Sequence, residues 1–146
     1  MAALVAGLPL PVAAQLPLLR LRRVFIAFCD TLIPADALTP SASALGLVQT
    51  LLDDIASDAT AQRLASVGCT WLDEQAHGDF AIGGVDAREA IVQRMSELAW
   101  ETPPQRFYAL VRNTLMVEYY AQPASWRGLA LTRAPQPLGF FDAVRR

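Results

Sequence analysis

The sequence predicts an all-α protein: a small bundle of about five helices, with an extended apolar segment before it and an irregular arm after it. Apolar residues recur every three or four positions in five stretches, proline or glycine separates the stretches, and none alternates like a β-strand. The 146 residues are 53% hydrophobic and 18% charged, which suits one domain with a buried core. The predicted organisation is an apolar segment at 1–15, a helical domain at 16–123 and an arm at 124–146.

Two apolar stripes predict the first two helices. The first stripe has steps of four, three and four: Leu21, Phe25, Phe28 and Leu32. Pro34 is expected to end this helix, and the prolines up to Pro17 are expected to stop it from beginning earlier. Thr39 and Pro40 predict the N-cap and the first residue of the second helix. The apolar side of that helix consists of Leu45, Val48, Leu51, Leu52 and Ile55.

The third helix is predicted over residues 59–76, and Gly78 is its predicted stop. Its predicted core positions are Leu64, Val67, Trp71 and Leu72. Asp58 lies at the end of the second helix, where the helix dipole disfavours a negative charge, and nothing local in the sequence explains this placement.

The fourth and fifth helices have recognisable start signals. Asp86 and Glu89 have the spacing of a capping box before an apolar stripe of Ile91, Met95 and Leu98. Thr102 followed by Pro103 predicts the start of the fifth helix, and Pro123 is expected to end it. The apolar side of the fifth helix consists of Phe107, Leu110, Val111, Leu115 and Tyr119.

The N-terminal segment carries no charge between residues 2 and 15 and ends in the small residues of Val12-Ala13-Ala14. This pattern is typical of the core and cleavage region of an export signal, and it is too short to span a bilayer. The alternative is a structural arm that stays in the protein.

Arg22 and Arg23 resemble a twin-arginine export motif, but the apolar run after them is broken by Asp30, so the basic start of a buried helix is the preferred interpretation.

The sequence offers few residues for chemistry. It has no glycine-rich phosphate-binding motif, and a single histidine and two cysteines are too few ligands for a structural zinc site. His77 precedes Gly78 and is interpreted as a helix-end residue rather than a general base. We therefore predict no catalytic, cofactor-binding or metal-binding residue in this chain.

Charge argues against nucleic acid as a partner. The net charge is −2, and the one basic cluster, formed by Arg20, Arg22 and Arg23, has no aromatic residues interleaved with it.

Cys29 and Cys69 leave two alternatives open: a disulfide between the first and third helices in an exported protein, or two buried free thiols.

Aromatic residues are concentrated near the C-terminus, at and beyond the predicted end of the fifth helix. Tyrosine, tryptophan and arginine are enriched at binding hot spots, which predicts a partner interface here. The candidate interface residues are Tyr119, Tyr120, Trp126, Arg127, Phe140 and Phe141. For Tyr119, a place in the core is the competing interpretation.

Several motifs occur in the order typical of one family and cover roughly residues 24–140. They are D-T-L-I-P at 30–34, L-T-P-S-A at 38–42, G-C-T-W-L-D at 68–73, F-Y-A-L-V-R-N-T-L at 107–115 and Y-Y at 119–120 followed by W-R at 126–127. Together they resemble the gluconate 2-dehydrogenase subunit 3 family.

The resemblance implies a non-catalytic small subunit of a flavin-dependent sugar or polyol dehydrogenase. In such a complex, FAD is bound by a catalytic subunit of the glucose-methanol-choline type, and a cytochrome c subunit often accepts the electrons. The small subunit binds no cofactor, has no membrane span of its own, and escorts the catalytic subunit to the periplasm, often with a twin-arginine signal. The alternatives are a standalone helical enzyme using His77 and a helical regulatory or DNA-binding domain using the basic cluster.

Overall fold

The computed structural model describes residues 12–127 and residue 129, with side chains from residue 20 onward. The described part contains five α-helices and no strand, so the predicted all-α class is confirmed. The helices are α1 (Val12–Leu32), α2 (Leu47–Ser57), α3 (Ala59–Gln75), α4 (Val85–Ser96) and α5 (Pro103–Ala121). Single 3₁₀ turns at Phe80–Ile82 and Pro123–Trp126 follow α3 and α5.

The aromatic core lies where α1, α3 and α5 meet. The ring of Phe107 on α5 lies 5.1 Å from that of Phe28 and 6.1 Å from that of Phe25, both on α1. All three rings are fully buried. On α3, the backbone of Gly68 lies directly against the Phe107 ring, and a Cβ at this position would come within 2.1 Å of the ring. The helices can therefore pack this closely only because residue 68 has no side chain.

Helix α1 begins earlier than predicted. It includes Pro17, so residues 12–15 are helical, and the expected start after the prolines is wrong. A proline fits helical φ and removes a single N–H, so the helix loses one backbone hydrogen bond at this position and continues. The predicted end before Pro34 is confirmed, since α1 ends at Leu32.

Helix α2 begins later than predicted, because Thr39 and Pro40 belong to a loop. The carboxylate of Asp36 accepts hydrogen bonds from the backbone N–H groups of Leu38 and Thr39, each at 2.7 Å, and closes a turn there. The helix starts only after Gly46, whose φ of 76° favours glycine. Its core side is otherwise close to the prediction, with Leu47, Val48, Leu51 and Ile55 buried.

Asp58 has a role that the sequence did not reveal. It ends α2 and is also the N-cap of α3, where its Oδ1 accepts hydrogen bonds from the N–H groups of Thr60 and Ala61 at 2.6 and 3.1 Å. The buried residues of α3 are Ala65, Gly68, Cys69 and Leu72. Val67 is exposed, so its predicted core position is wrong: the buried side of the helix is set by the close contact at Gly68, which turns Val67 outward.

The predicted capping box of α4 is wrong. The N-cap is Gly84, and Asp86 lies inside the first turn, where its charge favours the helix dipole instead. Ile91 and Met95 are buried as predicted. The start of α5 at Pro103 after Thr102 is confirmed, and so are four of its five core positions; Leu110 is exposed.

Helix α3 ends in a Schellman motif, with the N–H of Gly78 bonded to the Asp73 carbonyl at 3.0 Å and the N–H of His77 bonded to the Glu74 carbonyl at 3.1 Å. The left-handed residue of this motif is His77, with a φ of 52°. A residue with a Cβ costs about 1–2 kcal/mol in that conformation.

We expect His77→Gly to stabilise the protein. The strain energy that the variant removes is larger than the entropic cost of fixing a glycine, so the free energy of unfolding should rise by about 0.5–1 kcal/mol. Thermal unfolding followed by circular dichroism measures the gain. His77→Ala is the control, because it removes the imidazole and keeps the strain. Equal melting temperatures for the two variants would contradict the explanation.

Candidate partner-binding surface

The basic cluster on α1 binds other parts of the same chain. The Nε of Arg20 donates to Asp73 Oδ2 at 2.9 Å, and its Nη2 donates to the Gly78 carbonyl at 3.0 Å. Arg23 forms an ion pair with Asp79. The third member, Arg22, donates to the side chain of Gln49 on α2 at 2.6 Å. The cluster therefore holds α1 against α2, the end of α3 and the loop that follows.

The same two aspartates shape that loop. The Oδ1 of Asp73 accepts a hydrogen bond from the N–H of Phe80 at 2.9 Å, and the Oδ1 of Asp79 accepts one from the N–H of Ala81 at 3.0 Å. Phe80 is fully buried. The aspartate of the G-C-T-W-L-D motif thus joins α1, α3 and the Phe80 turn.

The D-T-L-I-P motif builds the loop between α1 and α2. The carboxylate of Asp30 accepts hydrogen bonds from both the N–H and the hydroxyl of Ser43, at 2.8 and 2.6 Å. The Ile33 carbonyl accepts a bond from the N–H of Ala42 at 3.1 Å. In the same loop, the backbone N–H groups of Leu38 and Thr39 lower the pKa of Asp36. These bonds fix the loop on one side of a surface groove.

We call this groove the tyrosine groove. It lies between the loop and the end of α5, and its volume is about 450 Å³. Its apolar lining includes Pro34, Leu38, Met116, Tyr119, Tyr120 and Leu129. Leu38, Tyr120 and Leu129 are each more than half exposed. Three large exposed apolar side chains around one groove make it a candidate binding surface, because exposed apolar patches often mark interaction sites.

The predicted interface residues occupy different environments. Tyr120 is 56% exposed at the groove, whereas Tyr119 is 6% exposed and its hydroxyl donates to the Pro40 carbonyl at 3.3 Å. The core interpretation therefore describes Tyr119. The half-buried Trp126 donates its indole N–H to the Tyr120 carbonyl at 2.8 Å, and Arg127 is exposed. Phe140 and Phe141 lie outside the described residues.

The two cysteines are buried free thiols in the structure. Burial raises the pKa of Cys29 well above its ordinary value, and the charge of Asp30 raises it further. Burial and the charge of Asp73 raise the pKa of Cys69 to about 12. Neither sulfur has the electropositive, accessible surroundings of a reactive cysteine.

We expect neither thiol to react with iodoacetamide in the native protein, and both to react after unfolding. Because the pKa values are raised in the folded state, the free energy of unfolding should also fall as the pH rises above about 8.5, where only the unfolded thiols ionise. Thiol titration with and without denaturant, and urea unfolding across this pH range, measure these effects. If the denatured protein had no titratable thiol before reduction, the two cysteines would form a disulfide and the prediction would be contradicted.

Three further observations concern metal binding, membrane spans and the single histidine. No three histidine, cysteine, aspartate or glutamate side chains within them lie close enough together to bind a metal ion. Of the helices described, none combines the length and the apolar character needed to cross a membrane. His77 is exposed at the end of α3.

The sequence did not single out another exposed apolar residue, Trp100, which lies between α4 and α5 and is 62% exposed. Leu110 lies near Trp100 in the structure. The sequence assigned it to the core because it is adjacent to the buried position Val111. A tryptophan in a short connection between helices was the available signal, since so large a side chain has little interior to occupy there.

The fold and the groove define a small all-helical protein with an exposed aromatic surface at the end of its last long helix. The sequence model described as gluconate 2-dehydrogenase subunit 3 matches residues 22–131, which is more than half of the chain. The chain therefore belongs to the gluconate 2-dehydrogenase subunit 3 family, as the motifs predicted. A subunit 3 implies partner subunits. The comparisons with curated proteins and with solved structures each gave no match.

Proposed function

We propose that this chain is a non-catalytic small subunit that binds and stabilises the FAD-containing catalytic subunit of a sugar or polyol dehydrogenase of the glucose-methanol-choline type. The main support is the tyrosine groove, with its exposed Tyr120, Leu38 and Leu129. Permanent interfaces are more hydrophobic than ordinary surface and bury more than about 2,000 Å², so a larger partner is the expected cover for this groove. In this proposal FAD is bound by the partner, and this chain supplies recognition.

The groove gives the proposal a physical mechanism. A subunit that binds only the folded form of its partner stabilises that form by mass action. The rigid loop on one side of the groove reduces the cost of binding, because Asp30 and Asp36 already hold its backbone in place. Trp126 and Arg127 extend the proposed interface, and so do Phe140 and Phe141 by their place in the sequence.

Export with the partner to the periplasm is part of the same proposal. The uncharged stretch of residues 2–15 supports it, since its composition is that of an export signal. Association with a cytochrome c subunit completes the proposed complex.

Producing the catalytic subunit with and without this chain tests the proposal. We expect the chain to raise the yield and the melting temperature of FAD-loaded catalytic subunit. Tyr120→Ala should weaken binding by about 10–30-fold, the effect of losing a hot-spot aromatic side chain. Ile82→Ala is the matched control, because Ile82 is also an exposed apolar residue but lies after α3. Equal yield and stability with and without the chain would contradict the proposal.

A further inference from the structure

The exposed face of α5 continues beyond the tyrosine groove. Residues on this face recur at steps of four, three, four and three: Arg106, Leu110, Asn113, Val117 and Tyr120. Side chains with this spacing lie along one side of a helix. Val117 is 70% exposed, and Leu110 and Tyr120 are exposed as well. This face therefore connects the tyrosine groove to a second groove near the start of α5.

We call the second groove the tryptophan groove. It lies between α3 and α5 and has a volume of about 530 Å³. Its principal lining residues are Arg63, Leu64, Val67, Trp100, Arg106 and Leu110. Val67, Trp100 and Leu110 are among the few large apolar side chains that the described chain leaves exposed. Helices form both sides of the groove, and a third helix can pack along a channel between two helices.

The charge of the tryptophan groove indicates what kind of helix fits. Arg63 contributes from α3 and Arg106 from α5. The only ion pairs found among the described residues involve Arg20 and Arg23, so the groove arginines have no acidic partner there. All the other lining residues are uncharged. A positive groove on a chain of net charge −2 favours an acidic ligand.

We propose that the tryptophan groove binds an amphipathic helix of the catalytic subunit, with apolar residues against Trp100 and Leu110 and carboxylates facing Arg63 and Arg106. This inference rests on the proposed function. Leu110 and Tyr120 are ten residues apart on one helix, or about 15 Å along its axis. One partner can therefore cover both grooves and the exposed Val117 between them, which enlarges the interface toward the size of a permanent one.

Binding of the purified catalytic subunit to variants of the full chain tests the inference. Trp100→Ala and Arg106→Glu should each weaken binding by about tenfold or more, and the effect of Arg106→Glu should shrink as salt screens the charges. Arg94→Glu is the matched charge control, because Arg94 is exposed on α4 and does not line the groove. Its affinity should stay within about threefold of the unmodified chain. Circular dichroism of each variant checks that it is folded.

A photo-crosslinking residue at position 100 identifies the occupant directly. A crosslink to an acidic helix of the catalytic subunit supports the inference. A crosslink to residues 130–146 of this chain, or to a second copy of it, overturns the inference. If Tyr120→Ala weakens binding but Trp100→Ala and Arg106→Glu do not, the inference fails and the proposed function stands. If the unmodified chain does not bind the catalytic subunit, the proposed function itself fails.

Discussion

Replacing Gly68 with alanine is expected to destabilise the protein by about 2 kcal/mol or more, lowering the melting temperature by roughly 5–10 °C. The new Cβ would lie 2.1 Å from the Phe107 ring, far inside van der Waals contact. That ring is fully buried against Phe25 and Phe28, so it has no free space into which it can move. α3 and α5 would therefore have to separate.

Helix propensity acts in the opposite direction but is the smaller effect. Alanine is favoured over glycine inside a helix by about 1 kcal/mol, whereas overpacking of a core costs about 1–3 kcal/mol and more for a severe overlap. Gly78→Ala is the matched control, because a Cβ there meets no described atom within 4 Å and the residue does not have a left-handed φ. Thermal unfolding of both variants measures the difference. A Gly68→Ala protein as stable as the unmodified chain would show that the close contact is wrong.

A double substitution separates overlap from other causes. Phe107→Leu removes part of the ring that the new Cβ would meet, so Gly68→Ala should cost less in that background than alone. Additive losses of stability would indicate that the two residues do not interact.

Asp73→Ala is expected to destabilise the protein by about 2–3 kcal/mol. It removes the acceptor of the buried Phe80 N–H, and it also removes the ion pair with Arg20. The first loss dominates, because a buried N–H left without a partner costs about 1–3 kcal/mol, whereas an ion pair with the half-exposed Arg20 contributes about 1 kcal/mol or less.

Asp73→Asn distinguishes the two contributions. Asparagine keeps an oxygen for the N–H of Phe80 and loses the charge that faces Arg20, so it should cost about 1 kcal/mol or less and show little dependence on salt. Urea unfolding of both variants at low and high salt measures the contribution of the hydrogen bond and that of the ion pair separately. Equal losses for the alanine and asparagine variants would assign the effect to the ion pair and contradict the larger contribution of the Phe80 hydrogen bond.

The sequence predicted those helices whose signals are local. Thr102 and Pro103 mark the start of α5, and the spacing of its apolar residues assigns four buried positions correctly. The predicted start of α2 was wrong because the loop before it depends on the turn at Asp36 and also on a bond between Asp30 and Ser43, which are 13 positions apart. A bond between distant positions leaves no periodic signal, whereas the local threonine–proline pair resembles a helix start without forming one.

The sequence predicted only part of the candidate surface, because it reveals local features of a helix but not contacts between distant positions. Tyr120 was assigned to an interface because it follows the last core position of α5, and the structure places it at a groove. The tryptophan groove was missed because it requires α3 and α5 to lie side by side, with Gly68 as the contact point. The basic cluster on α1 could not be explained either, since Arg20 and its partner Asp73 are 53 positions apart.

The single residue between α2 and α3 has a mechanical consequence. Asp58 belongs to the ends of both helices, so the connection has no spare residues, and its bonds to Thr60 and Ala61 fix the end of α2 at the first turn of α3. In turn, α3 packs through Gly68 against the ring of Phe107 on α5. A connection without spare residues and a close contact between helices leave little room for these three helices to move separately, so a partner would meet a surface of nearly fixed shape.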